Sequence, residues 1–165
     1  MTTMDHRITH AMGMLGYEAW ATSATIDSLS TVPAEQLAGP AFTRAIQIVA
    51  HIQIARRVWM ARIEGRIDRP ADWFPAWRPL QLREAAAELD KVWHDYLVQL
   101  TPAELDRHVV YQSFEGVKYS SRVFDILMHV FNHSTYHRGQ VARFVTEAGG
   151  TRATTDMIAF SRKVI

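Results

Sequence analysis

The sequence predicts an all-α fold, a four-helix bundle, and three observations carry that prediction. Four segments of roughly 20 residues or more repeat apolar side chains every third or fourth position, the spacing of one helix face. Glycine, proline and small polar residues fall between those segments rather than inside them. One connection, between the second and third segments, is a long crossover of the kind such bundles carry. At 165 residues the chain is expected to form a single domain over 1–165 and to bury a core unaided.

The first helix is expected from Asp5 to Leu29, with Met12, Leu15, Ala19, Thr22 and Ile26 along one stripe. Residues Ser30 to Glu35 read as a turn followed by a short helical start, and Gly39-Pro40 closes that connection. The second helix, from Thr43 to Glu64, carries Ile48, His51, Ala55, Val58 and Arg62 on one face, with Ile52, Trp59 and Ile63 beside it. Gly65 stops it. From Arg66 to Leu80 come Pro70, Pro75 and Pro79 together with Trp73, Phe74 and Trp77. That stretch is too aromatic for a free linker and predicts an ordered crossover packed over one end of the domain.

The third helix spans Leu82 to Leu100 through Ala86, Leu89, Val92, Trp93 and Tyr96. Thr101-Pro102-Ala103-Glu104 is a helix start, with threonine as cap, proline first and glutamate third. From His108 to Tyr119, β-type residues surround Glu115-Gly116 and predict a small hairpin or extended excursion. The fourth helix is expected from Ser121 to Ala148, ending at Gly149-Gly150. The tail, Thr151 to Ile165, contains TTDMIAF and is expected to pack back on the bundle.

Composition narrows the function. The chain is 48% hydrophobic and 21% charged, with net charge +1 and no run of like sign, so no nucleic-acid partner is expected. No stretch approaches the roughly 18 apolar residues of a membrane span, and the N-terminus has no signal-peptide core. A soluble, cytoplasmic protein without a membrane partner is expected. Cysteine is absent, which removes disulfides, thiolate ligands and thiol nucleophiles of the chain's own.

The histidines are the informative residues. Of eight, His6, His10, His94 and His108 lie among polar neighbours or near helix ends and read as surface residues. His51 sits in the apolar run IQIVAHIQIA, where a buried imidazole costs free energy unless a partner satisfies it. His129, His133 and His137 follow one another at intervals of four, so two HxxxH pairs can form on one helix face. All three cannot share one ion: eight residues of helix rise about 12 Å, while a zinc-bound nitrogen lies about 2 Å from the metal. Spacing leaves both pairs open. Either pair, joined by a histidine from another helix, makes an open three-histidine set with room for water or substrate.

HVFNHSTYHRGQVARF, residues 129–144, resembles the signature of the DinB-like (DinB/YfiT) superfamily of metal-dependent enzymes. YEAWATSATIDSLSTVPAEQL is similar to that family's first helix and turn, AFTRAIQIVAHIQIARRVWMARIEG to its second helix, and TTDMIAFSRKV to its C-terminal stretch. The resemblance implies a bundle of up-down-down-up topology. It also implies a divalent metal held by one histidine of the second helix and two of the fourth. Those positions are His51, His133 and His137, with His129 left to packing or support. Glu18 stands where the family often has asparagine, and no role is assigned to it.

Imidazole ligands usually donate their other N–H to an acceptor, for which Asn132, Gln140, Asp156 and Asp125 are candidates. Tyr136 and Arg138 lie on other faces of the helix, Arg138 as a structural ion-pair or hydrogen-bond partner. Gly139 is expected to permit a close helix approach despite a cost of about 1 kcal/mol.

An open three-histidine site on Zn²⁺, Ni²⁺, Mn²⁺ or Fe²⁺ can polarise a substrate or lower the pKa of a water or thiol. Imidazole suits zinc, nickel, copper and iron, so ligand type alone does not select the ion; zinc or nickel is expected first, with manganese or iron next. The resemblance implies activation of a low-molecular-weight thiol for S-transfer or isomerisation. With no cysteine in the chain, that thiol must be a cosubstrate. The alternatives are a metal-dependent hydrolase, although no HExxH motif is present, and a non-enzymatic metal-binding stress-response protein. No catalytic side chain is assigned. The resemblance also implies a homodimer, and Trp73, Phe74 and Trp77 are expected to form its interface or to wall the substrate pocket.

Overall fold

Four long helices and a small hairpin make up the fold in a computed structural model that describes residues 5–164. They are α1 (His6–Leu29), α2 (Pro40–Ile63), α3 (Pro79–Leu97) and α5 (Val123–Glu147), with short helices α4 (Pro102–Asp106) and α6 (Met157–Ser161). Strands β1 (His108–Gln112) and β2 (Lys118–Arg122) precede α5, and a 3₁₀ turn at Ala34–Gln36 joins α1 to α2.

The helix starts follow from capping chemistry. Asp5 accepts a hydrogen bond from the Arg7 backbone N–H at 2.9 Å and caps α1. Helices α2, α3 and α4 each begin on proline, whose missing N–H costs nothing in the first turn. The second and third helices therefore start at Pro40 and Pro79, not at Thr43 and Leu82, and the third ends at Leu97 rather than Leu100. Thr101 caps α4 as its sequence suggests, its hydroxyl accepting from the Glu104 N–H at 3.1 Å.

Three contacts fix the helix directions. The Thr151 N–H donates to Thr31 Oγ1 at 2.7 Å, so the ends of α1 and α5 meet and the two run parallel. Arg107, just before β1, donates to the Ile63 carbonyl at 3.0 Å, so α2 ends where α5 begins. Arg83, near the start of α3, pairs with Asp27, near the end of α1, at 2.6 Å. The topology is up-down-down-up, with α2 packed chiefly on α5 and α1 on α3. Because α2 and α3 run parallel, residues 64–78 must return along the bundle. This crossover lies beside α2, tied by Arg57 to Asp68 at 2.6 Å, rather than over one end of the domain.

The core is split in two. Leu15, Met60, Trp93, Leu97, Leu127 and Phe131 belong to one apolar cluster, and Ile26, Phe42, Ile46, Leu82, Val141 and Val145 to the other. Between them, among further apolar residues, buried polar groups gather: Glu18, Thr22 and Thr25 on α1, Gln53 and Arg56 on α2, and Ser134 and Arg138 on α5. Burying such groups is tolerable only when they bond to one another. Arg138 donates to Glu18 at 2.5 Å with both side chains 1% exposed, and Arg56 donates to Gln53 at 3.0 Å and Asp90 at 2.6 Å. This polar belt pins α1 to α5 and α2 to α3, and the histidines lie in the same belt.

The predicted hairpin is antiparallel, pairing His108 with Arg122 and Gln112 with Lys118. It extends into the expected start of the last long helix, which begins at Val123 and not at Ser121. The tail does return to the bundle: Phe160 packs edge-on against Tyr17 and tilted against Trp20, and the Tyr17 hydroxyl donates to the Thr155 carbonyl at 2.6 Å. The close approach is at Gly150, past the end of α5, where a Cβ would lie 2.8 Å from Val32 past the end of α1, whereas Gly139 faces open space.

Candidate metal centre

His51 lies mid-way along α2, and His133 and His137 occupy consecutive turns of α5, the helix on which α2 packs most closely. Their ring centroids are 5.1 Å (His51–His133), 4.7 Å (His51–His137) and 4.4 Å (His133–His137) apart. One ligating atom from each falls within 4.8 Å of those from the other two, and the three can hold a metal ion. Nitrogens on a tetrahedral zinc are spaced roughly 3.4 Å, so small ring rotations bring this set to bonding geometry.

Hydrogen bonds select the nitrogens that face inward. His51 Nδ1–H donates to the Trp73 carbonyl oxygen at 3.1 Å, because a carbonyl can only accept. His137 Nδ1–H donates to Gln140 Oε1 at 3.0 Å. Both rings are thereby held as tautomers whose Nε2 lone pair is free, the arrangement that second-layer acceptors give to metal-binding histidines. Of the four expected acceptors, only Gln140 serves. Asn132 is exposed and donates to the Met128 carbonyl, Asp125 pairs with Arg122, and Asp156 precedes α6. The Trp73 carbonyl had no signal in the sequence, since a backbone group carries no residue identity.

Electrostatics keep the set neutral. Desolvation, then the neighbouring His137, His51 and His129, push the His133 pKa down to about 3. His51 is lowered by burial and by His137, and His137 by burial and by Arg44, in each case against its one hydrogen bond. All three rings are then uncharged at neutral pH, the form a metal requires. Without metal, the folded chain binds fewer protons than the unfolded one as pH falls from about 6.5 toward 3, so acid works against the fold.

The crossover walls the site. The Phe74 ring stacks on His51 at 4.2 Å and 13°, and Trp73 lies 5.8 Å from it. Arg44 sits over the Phe74 ring, its guanidinium carbon 4.7 Å from the ring centroid. Sequence reasoning passed over Arg44. Trp77 packs on the second apolar cluster instead. His129 is outside the three-histidine group, its ring 5.0 Å from Trp59 and 5.5 Å from His133. Tyr136 is exposed, while Arg138 turns away from the histidines into the pair with Glu18. His6, His10, His94 and His108 are exposed, as expected. Among the described residues no helix is long and apolar enough to cross a membrane.

Comparison with known proteins agrees with this architecture. A protein DinB of Bacillus subtilis (strain 168) is 23% identical over 158 residues, covering 88% of this chain and 90% of that protein. The crystal structure of a DinB-like protein from Bacillus cereus ATCC 10987 superposes with a TM-score of 0.61 at 19% identity. That match covers 86% of this chain and 94% of the other, and it supports the fold. The DinB family model matches residues 4–163, nearly the whole length, and this chain belongs to the DinB family.

Proposed function

We propose that His51, His133 and His137 bind a divalent ion, zinc or nickel before manganese or iron, in an enzyme that activates a low-molecular-weight thiol for transfer to an electrophile. The observation that carries the reading is the convergence of three neutral imidazoles within 4.8 Å, two of them with the far nitrogen tied. A bound ion supplies Lewis acidity, which lowers the pKa of a thiol or water on its open side. The chain's own residues do the rest. The Trp73 carbonyl and Gln140 orient two ligands, Phe74 shields the His51 ring from water, and the Arg44 charge favours an anion nearby.

The thiol is what the family resemblance suggests, and with no cysteine in the chain it must come from a cosubstrate. The cosubstrate's sulfur gives its electron pair to the electrophilic carbon, the leaving group departs with its own bonding pair, and the thiol proton passes to solvent. No carboxylate is among the three grouped ligands, so a divalent charge at the site is not neutralised by the protein and favours an anionic partner.

The test is direct. Metal-loaded protein is incubated with bacillithiol, mycothiol or another small thiol and a chlorodinitrobenzene, and absorbance of the product is followed. Thiol-dependent turnover is expected, abolished by chelation and restored by zinc or nickel. A rate indifferent to chelation would contradict the reading.

A further inference from the structure

A second feature lies beside the histidines and is not explained by them. A cavity of about 270 Å³ opens between the end of α2, the start of the crossover and the hairpin. Arg62, Arg66, Arg69 and Lys118 line it, together with Tyr111 and Phe114. The nearby acids are already paired, Asp68 with Arg57 and Glu64 with Arg66, which leaves the cavity with an excess of positive charge.

Arg62 is the unusual member. Its guanidinium carbon lies 4.5 Å from the Trp59 ring centroid, 4.8 Å from Tyr111 and 5.7 Å from Phe114. Burial pulls its pKa below the ordinary arginine value, against the opposing effect of Tyr111. Among the described residues it makes no hydrogen bond and no ion pair, although every other arginine of α2 does. Ring faces attract its charge but leave its N–H donors without acceptors. A partly desolvated guanidinium fork on a cavity wall is matched by the two oxygens of a carboxylate.

Packed aromatic rings stand between the cavity and the histidines on two sides. Trp59, under Arg62, is in ring contact with His129, which in turn neighbours His133. Phe114 meets Trp73 edge to face at 5.2 Å, and the Trp73 carbonyl holds His51. His51 and Arg62 share one face of α2 but stand about 16 Å apart along it, with buried Ala55 and Val58 between them.

We propose that this cavity is a subsite for the carboxylate of a small organic acid, bound in bidentate fashion by Arg62 with its apolar part against Tyr111 and Phe114. The inference goes beyond the thiol-transfer reading and does not depend on it: the carboxylate is held at the hairpin end of α2, apart from the histidines.

Benzoate is the probe, with benzamide as its neutral counterpart, and binding is followed by ligand-detected NMR on zinc-loaded and on chelator-treated protein. Saturable benzoate binding is expected in both forms, weakened by salt, with little binding of benzamide. Arg62→Gln should weaken it by about tenfold or more, the size expected for a lost charge-assisted pair. Arg62→Lys, which keeps the charge without the fork, should fall between, and circular dichroism checks that both variants remain helical. Equal binding of benzamide, or equal binding by wild type and a folded Arg62→Gln, would overturn the proposal. Benzoate binding confined to zinc-loaded protein and indifferent to Arg62→Gln would place the anion on the metal and overturn it while sparing the metal site. Arg62-dependent binding by a protein that takes up no metal would uphold the subsite and remove the thiol-transfer reading.

Discussion

Glu18→Ala is expected to destabilise the protein by about 3–5 kcal/mol, because it strands a buried cation. Arg138 and Glu18 are each 1% exposed and 2.5 Å apart, and apart from that carboxylate Arg138 keeps only the Thr135 hydroxyl at 2.9 Å and the face of Tyr17. Its Nε already lacks a partner. The pair is costly to break but is not thereby a large net source of stability, since two desolvated charges were needed to make it. Replacing both, as Glu18→Leu with Arg138→Met, should therefore recover most of the loss. Urea denaturation of the two variants measures this. A single variant within 1 kcal/mol of wild type would show that water reaches Arg138. The pair also fixes rotation of α5: Arg138 follows His137 in sequence, so locking it against α1 turns the His133–His137 face toward α2.

Gln140→Leu should weaken metal binding by roughly 10–100-fold, the usual effect of removing an acceptor behind a ligating imidazole. Gln140 Oε1 holds His137 in one tautomer and one orientation at 3.0 Å. Without it His137 can protonate either nitrogen and rotate. Asn132→Ala is the control, because Asn132 is exposed and bonds only to the Met128 carbonyl one turn before it. Competition with a chromophoric chelator gives both affinities. An unchanged affinity in Gln140→Leu would mean that helix packing alone orients the ring.

Much of this arrangement was legible before any coordinates. Helix interiors follow apolar periodicity, and so α1, α2, α3 and α5 were foreseen, along with the Thr101 cap and the hairpin about Gly116. Helix starts were misplaced where proline was treated as a breaker; Pro40 and Pro79 instead occupy first-turn positions that need no donor. The histidine spacing left two pairs open, and the family resemblance singled out the one that the fold brings to His51. The physical reason is axial: α2 and α5 run antiparallel, so His129 falls level with Trp59, about two turns past His51 on α2, while His133 and His137 fall level with His51 itself.

Long-range pairing was not legible. Glu18 and Arg138 are 120 residues apart and each reads alone as an ordinary polar helix residue. The crossover aromatics were expected at an interface or a pocket wall; Phe74 and Trp73 lie against His51. Only the direction of the crossover, dictated by parallel α2 and α3, brings them there.

The most direct test is the metal content of untagged protein by elemental analysis, for wild type and for His51→Ala, His133→Ala and His137→Ala. About one divalent ion per chain is predicted in wild type, as three imidazoles at one point require, with loss in all three variants while helicity is kept. Wild-type protein that carries no ion, and takes up neither zinc, nickel nor manganese, would contradict the metal centre and leave the histidines as packing residues of a helical bundle.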